Sequence, residues 1–143
     1  MRGTVFDLPP LAADASRDLQ RADLQDRATF VGGDFFEAVP EDCDLYTLFS
    51  VVHDWDDERC IKILTNVRQA MAAGGRVMVV EGVLSEDDRD EFVKTSDMLM
   101  LVFGDHARER TMHEFDHLWD AAGLQRDQVI DLAGVFKVFV LRA

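Results

Sequence analysis

Apolar positions along the chain switch repeatedly between two periods, runs of adjacent hydrophobic residues and stripes recurring every three to four residues. The first period belongs to strands and the second to helices facing a core, so their alternation predicts an α/β fold. Residues 4–6 read as a short strand ending at Asp7, after which Pro9 and Pro10 punctuate a polar helix over 11–25. A second strand is expected over 29–32, leading into Gly33, Asp34, Phe35 and Phe36. Residues 45–52 form a nearly continuous apolar run with aromatics, the pattern of a strand buried on both faces.

Asp56, Asp57 and Glu58 then supply carboxylates to the first turn of a helix, where the dipole favours them. Cys60, Ile63, Leu64, Val67 and Met71 place one apolar face along it, and Gly74-Gly75 is expected to stop it. A fourth strand over 76–80 should end at Glu81. Helices are expected over 87–102 and 111–122, the latter stopped by Gly123. Residues 129–132 and 136–141 close the chain as a hairpin joined by 133–135. No repeat, low-complexity tract or linker interrupts residues 1–143, which read as one domain.

Composition narrows the partners. A net charge of −13 leaves no basic stripe for nucleic acid, whose binding needs clustered Lys and Arg. No apolar run reaches the length of a membrane span, and the first residues enter a strand pattern without a signal-peptide core. Cys43 and Cys60 match neither a metal-ligand nor a disulfide spacing, so a reducing cytoplasm is the expected compartment.

In open α/β sheets ligands bind beyond the carboxyl ends of the strands. Four successive strands here end in Asp7, Asp34, His53 and Glu81. A carboxylate after an early strand can accept from two ribose hydroxyls, although an acidic turn residue is the plainer alternative. Asp34 followed by Phe35 suits an adenine amino group and ring, against an ordinary turn plus core aromatics. His53 can take a proton at neutral pH, its reference pKa being about 6.5. A lone histidine is more often structural, but this one is placed at the ligand-facing edge.

The run Asp34-Phe35-Phe36-Glu37, then His53-Asp54-Trp55-Asp56-Asp57-Glu58, Glu81, Glu109-Arg110-Thr111 and Glu114-Phe115 together resemble one family. It is that of the S-adenosylmethionine-dependent O-methyltransferases typified by plant caffeate-type and bacterial polyketide enzymes, and the likeness runs over nearly the whole chain. It implies a Rossmann-like class I methyltransferase sheet with helices on both faces, and methyl transfer from S-adenosylmethionine to a hydroxylated aromatic or polyketide-like small molecule. By the same resemblance His53 is the general base, flanked by Glu81 and Glu109. Asp7 matches the ribose-binding carboxylate, Asp34 and Phe35 the adenine side, and Asp97 and Met98 lie near the substrate pocket. Met98, Met100 and Phe103 could form an apolar pocket wall, though residues at that helical spacing are more often core.

His113-Glu114-Phe115-Asp116-His117 also matches the H-E-x-x-H zinc pattern. Its apolar partners Met112, Phe115, Trp119 and Ala122 share one helix face, so both histidines should face solvent, and no metal is expected. Two departures from the family stand out. Phe49 occupies the place, four residues before the histidine, where plant members often carry Lys. The family's first strand and glycine-rich cofactor loop have no counterpart, and neither does the helical domain through which relatives dimerise.

Without that first strand, residues 4–6 and 45–52 would each expose an edge, unless they pair with each other or another chain fills the gap. The alternative to an active enzyme is therefore a non-catalytic remnant, or a half-protein needing a partner for the cofactor loop. A nicotinamide-dependent enzyme is a weaker alternative, lacking any phosphate-binding glycine fingerprint. Titration calorimetry of this polypeptide alone should show weak or no binding of S-adenosylmethionine; micromolar binding would refute that expectation.

Overall fold

A computed structural model describes residues 1–85, 91–103, 107–132 and 136–143. Two sheets organise them. In the first, β1 (Gly3–Asp7) lies parallel to β2 (Ala28–Gly32), joined by a 3₁₀ turn (Pro9–Leu11) and α1 (Ala12–Arg21). The second has the order β3 (Cys43–Phe49), β4 (Met71–Leu84), β7 (Phe136–Arg142), β6 (Gln125–Asp131), with the short β5 (Arg110–Thr111) beside β4. β3 and β5 run parallel to β4, whereas β7 is antiparallel to both β4 and β6.

Local chemistry explains the helices that matter for the site. α2 (Asp57–Ala70) begins where the Asp56 carboxylate accepts from Arg59 N at 2.8 Å, and Asp57 and Glu58 fill its first turn. α4 (Met112–Ala121) begins with a capping box, in which Thr111 Oγ1 accepts from Glu114 N while Glu114 Oε2 accepts from Thr111 N. The positive φ of Gly123 (74°) then ends it. α2 turns Cys60, Ile63, Leu64 and Val67 inward, and α4 turns Phe115, Leu118 and Trp119 inward.

These two faces pack on Val77, Val79, Val83, Phe139 and Leu141 of the central strands. Phe115, Trp119 and Phe139 form a ring cluster with centroids 5.0–5.5 Å apart. The opposite face of β4 meets α3 (Glu91–Phe103), whose Val93 lies 3.7 Å from the Cβ position of Gly82. Helices thus cover both faces of the sheet.

Several sequence expectations need correction. The strand expected over 45–52 ends at Phe49 and is not buried on both faces: it is an edge, with Leu45 44% and Phe49 65% exposed. β1 pairs with β2 and not with β3, so nothing among the described residues covers that edge. The fourth strand does not stop at Val80, because Glu81 and Gly82 continue the ladder with Lys137 and Phe136, and Glu81 is therefore internal.

Gly74 and Gly75 do not end α2, which stops at Ala70. Gly74, with φ 77°, lies instead in a register shift, where Cys43 opposes Met71 but Leu45 opposes Arg76. The polar helix is shorter than 11–25, since Asp23 adopts φ 56° and breaks it. The last hairpin begins four residues earlier than expected, at Gln125, because Arg142 and Leu141 extend its ladder. Residues 87–90 of the expected third helix, the 133–135 connection and the Phe103 side chain lie outside the described residues.

The packing sets a contrast in stability. Phe139→Ala should destabilise the chain by about 3–5 kcal/mol in urea unfolding, since it empties the centre of the ring cluster. Phe49→Ser should stay within about 0.5 kcal/mol of the parent, as expected of an exposed site.

Candidate active site

β3 ends at Phe49, and Ser50, at φ 51°, redirects the chain while its N–H still bonds Val80 O at 3.0 Å. A single 3₁₀ turn (Val52–Asp54) follows and carries His53. Beneath it lies Glu81 of β4, fully buried. Glu81 Oε1 accepts from Val51 N (3.0 Å) and Val52 N (2.7 Å), and Oε2 stands 2.9 Å from His53 Nδ1. That last contact is at ion-pair distance without good hydrogen-bond alignment, as is common in catalytic pairs before substrate binds.

The Glu81 carboxylate, outweighing burial, raises the His53 pKa above its ordinary 6.5. A carboxylate at Nδ1 favours the proton there and leaves Nε2 as the acceptor nitrogen. The His53 side chain is 16% exposed, and its Nε2 lies 3.4 Å from the more exposed Asp54 Oδ1.

Glu109 completes the group from the segment entering β5. Ser96 Oγ donates to its Oε1 at 2.8 Å, its N–H donates to Asp97 Oδ1 at 2.9 Å, and its buried Oε2 has no hydrogen-bond partner among the described residues. Burial pushes the Glu109 pKa up. His53, Glu81 and Glu109 present atoms within 4.8 Å of one another, a spacing that could also admit a metal ion, although Glu81 Oε1 is already committed to two amides.

The backbone of the turn is held from the other side as well. His53 O accepts from Arg108 N at 2.9 Å, while Val52 O and Trp55 O accept from the Arg110 guanidinium at 3.0 and 2.7 Å. Ser96 is not singled out by the sequence, and Arg110 enters there only as part of the Glu109-Arg110-Thr111 run, because nothing in residue type or spacing tells a buried arginine from a surface one.

Asp7 is the last residue of β1, opposite Gly32 in register, and Asp34 lies just past the carboxyl end of β2; both are exposed. Each commits one oxygen to its own loop, Asp7 Oδ1 accepting from Leu8 N and Asp34 Oδ1 from Phe36 N. Their second oxygens form no bond among the described residues, and such acceptors suit the hydroxyl and amino donors of a nucleoside.

Phe35 is half-buried, edge-on to Phe36 and to Trp55, and its carbonyl accepts from Asn66 Nδ2 at 2.8 Å. With the Phe36–Trp55 contact at 4.8 Å, this joins the Asp34 loop to the histidine turn. Asp97 reaches Glu109 directly, whereas Met98 is 70% exposed on α3. Phe49 stacks loosely on Phe136, 6.2 Å away. His113 and His117 are both exposed, and Glu114 is drawn into the capping box and onto Arg108, which with Thr111 holds its pKa down at about 2 against the effect of burial.

A family model described as the O-methyltransferase domain matches residues 1–125. The chain is 43% identical, over 99% of its length, to the phenazine O-methyltransferase PhzM of Lysobacter antibioticus, covering 41% of that protein. Among solved structures it superposes on LaPhzM with a TM-score of 0.93 and 43% identity, spanning 99% of this chain and 42% of that one. It also superposes on NcsB1, an O-methyltransferase from neocarzinostatin biosynthesis solved with S-adenosyl-L-homocysteine and 1,4-dihydroxy-2-naphthoic acid. There the TM-score is 0.88 and the identity 31%, spanning 100% of this chain and 42% of that one. The chain thus covers about two-fifths of the length of these relatives.

An NMR titration of the His53 Cε1 proton should give a pKa above 6.5, so the pairing stabilises the fold below pH 6.5 and fades as pH rises through the folded value. Glu81→Gln keeps an oxygen for the two amides but replaces the carboxylate at Nδ1, and should bring His53 to 6.5 or lower. A parent value already at or below 6.5 would contradict the geometry.

Proposed function

The chain belongs to the O-methyltransferase domain family, and on that footing we propose that it supplies the acceptor-activating base for methyl transfer from S-adenosylmethionine to a hydroxyl of an aromatic or polyketide-like small molecule. The observation that carries this reading is the His53–Glu81 pair, with Nδ1 against a buried carboxylate and Nε2 left to accept a proton.

A phenolic hydroxyl has a pKa near 10 and is a poor nucleophile at neutral pH. A base within hydrogen-bond reach takes its proton as the oxygen attacks, an effect worth about 10²–10⁴-fold. The proton passes to His53 Nε2, and Glu81 and Glu109 offset the positive charge that develops on the ring. Bound S-adenosylmethionine supplies a methyl group that is already electrophilic, so the protein's remaining task is alignment. Asp7 and Asp34 would hold the nucleoside end of this cofactor, with Phe35 beside them. Phe92, Met98, Leu99 and Val102 leave an apolar strip exposed along α3, suited to one wall of an aromatic acceptor's pocket.

A second reading rests on a different observation. The exposed edge of β3 carries Leu45 and Phe49, and an apolar unpaired edge suits a chain that acts only with a further strand beside it. Adding a glycine-rich strand–loop–helix segment in trans and assaying methyl transfer separates the two.

In the full-length protein, His53→Ala should lower methyl transfer to a panel of phenolic and polyketide acceptors by about 10²–10⁴-fold. Calorimetric affinity for S-adenosylmethionine should be unchanged. Near-normal turnover by that variant would remove His53 from the mechanism.

A further inference from the structure

We propose that Arg110 is a positioning residue for the base: its buried guanidinium fixes the turn at residues 52–55 so that His53 keeps Nδ1 on Glu81 and Nε2 turned away from it. The assignment rests on the reading of His53 as the base, and begins from an imbalance within the turn. Its own hydrogen bonds are long, 3.2 Å from Asp54 N to Val51 O and 3.4 Å from Trp55 N to Val52 O. One 3₁₀ turn has poor bond geometry and cannot by itself hold a side chain to catalytic tolerance.

Arg110 supplies what the turn lacks. Its side chain is 0% exposed, and four of its five N–H donors are engaged. Nη1 bonds Val52 O (3.0 Å) and Nη2 bonds Trp55 O (2.7 Å), the carbonyls on either side of His53 and Asp54. Nε and Nη2 both reach Asp57 Oδ1, at 3.0 and 2.8 Å, which anchors the fork to the first turn of α2 and balances its charge. The Arg110 and Arg108 guanidiniums hold the Asp57 pKa low although burial opposes this, so the counter-charge persists at neutral pH.

The protonated Cys60 thiol, pushed up to about 11 by burial, adds weak donation to the same two carbonyls. Arg108 and Arg110 therefore bond the histidine turn through a backbone N–H and a guanidinium, while the Glu109 carboxylate between them presents an atom within 4.8 Å of His53 and Glu81. A buried guanidinium spent only on packing would need no such aim. Lysine is a compact point charge and cannot span two carbonyls and a carboxylate with one planar fork.

The test compares Arg110→Lys, Arg110→Met and Asp57→Asn with the parent, all as full-length protein. Circular dichroism identifies the folded variants, and ¹⁵N and Cε1-proton NMR reads the tautomer and titration of His53 without any methyl transfer. Calorimetry with S-adenosylmethionine and the pH dependence of kcat and KM complete the set. A folded Arg110→Lys should keep cofactor affinity within about twofold and KM near the parent's. Its kcat should fall at least about tenfold, with a shifted pH profile and a His53 ring no longer in one tautomer.

A parent-like His53 tautomer and titration in folded Arg110→Lys overturns the proposal, whatever the activity. So does a loss of kcat matched by a loss of cofactor affinity, which marks general damage. If both arginine variants unfold, Asp57→Asn decides by the same NMR readout, because it removes the anchor's charge and leaves the guanidinium in place. A parent protein that methylates no acceptor refutes the proposed function alone, since the NMR comparison still decides for or against the clamp.

Discussion

One buried carboxylate ties the sheet to the chemistry. Glu81 occupies the strand that lies between β3 and β7, and it has no access to water. A charge in that position is tolerable only when its oxygens are satisfied, and removing its partners is far more costly than never burying it. The amides of Val51 and Val52 bond one oxygen, and the imidazole of His53 stands at ion-pair distance from the other. The turn after β3 is therefore shaped by the need to solvate Glu81 as much as by its own sequence. The core formed by α2, α4, β4 and β7 gives the carboxylate its rigid platform.

Much of this was legible in the chain. Of the apolar stripe Cys60, Ile63, Leu64, Val67 and Met71, the first four are buried on α2 as their spacing implied while Met71 begins β4, and the Thr111–Glu114 capping box has the sequence signature of a helix start. The strand-end rule brought attention to Asp7, Asp34, His53 and Glu81, although Glu81 lies inside its strand. Failures of the reading share one physical origin, since each depends on tertiary partners that local periodicity does not encode. Strand β4 continues because β7 is there to pair with it, and Gly74 serves a register shift in which β3 advances two residues, Cys43 to Leu45, while β4 advances five, Met71 to Arg76. An apolar run such as 45–52 looks the same whether it lies at the centre of a sheet or at its edge. Arg110 was named only within the Glu109-Arg110-Thr111 run, and its burial went unread for the same reason: it follows from where two carbonyls and Asp57 converge.

The two open edges of the larger sheet are managed differently. β6 carries Gln125, Arg126, Asp127 and Gln128 along most of its length, the polar lining that discourages further pairing. β3 offers Leu45 and Phe49. The smaller sheet, with Asp7 and Asp34, is joined to the rest through Phe35, Phe36, Trp55 and Asn66. That aromatic contact links the Asp34 loop to the histidine turn without passing through any β-ladder.

The pair of hydrogen bonds that Glu81 Oε1 accepts from consecutive amides also has a consequence for local opening. Segments of a protein open with free energies ranging from near zero to that of global unfolding, and they do so as cooperative units. α1 buries no residue, so it belongs to the easily opened end of that range. The amides of Val51 and Val52 cannot exchange with solvent until a carboxylate inside β4 is uncovered, which couples their protection to that of the central strands. The histidine turn, though an irregular surface connection by its secondary structure, thereby breathes on the timescale of the core.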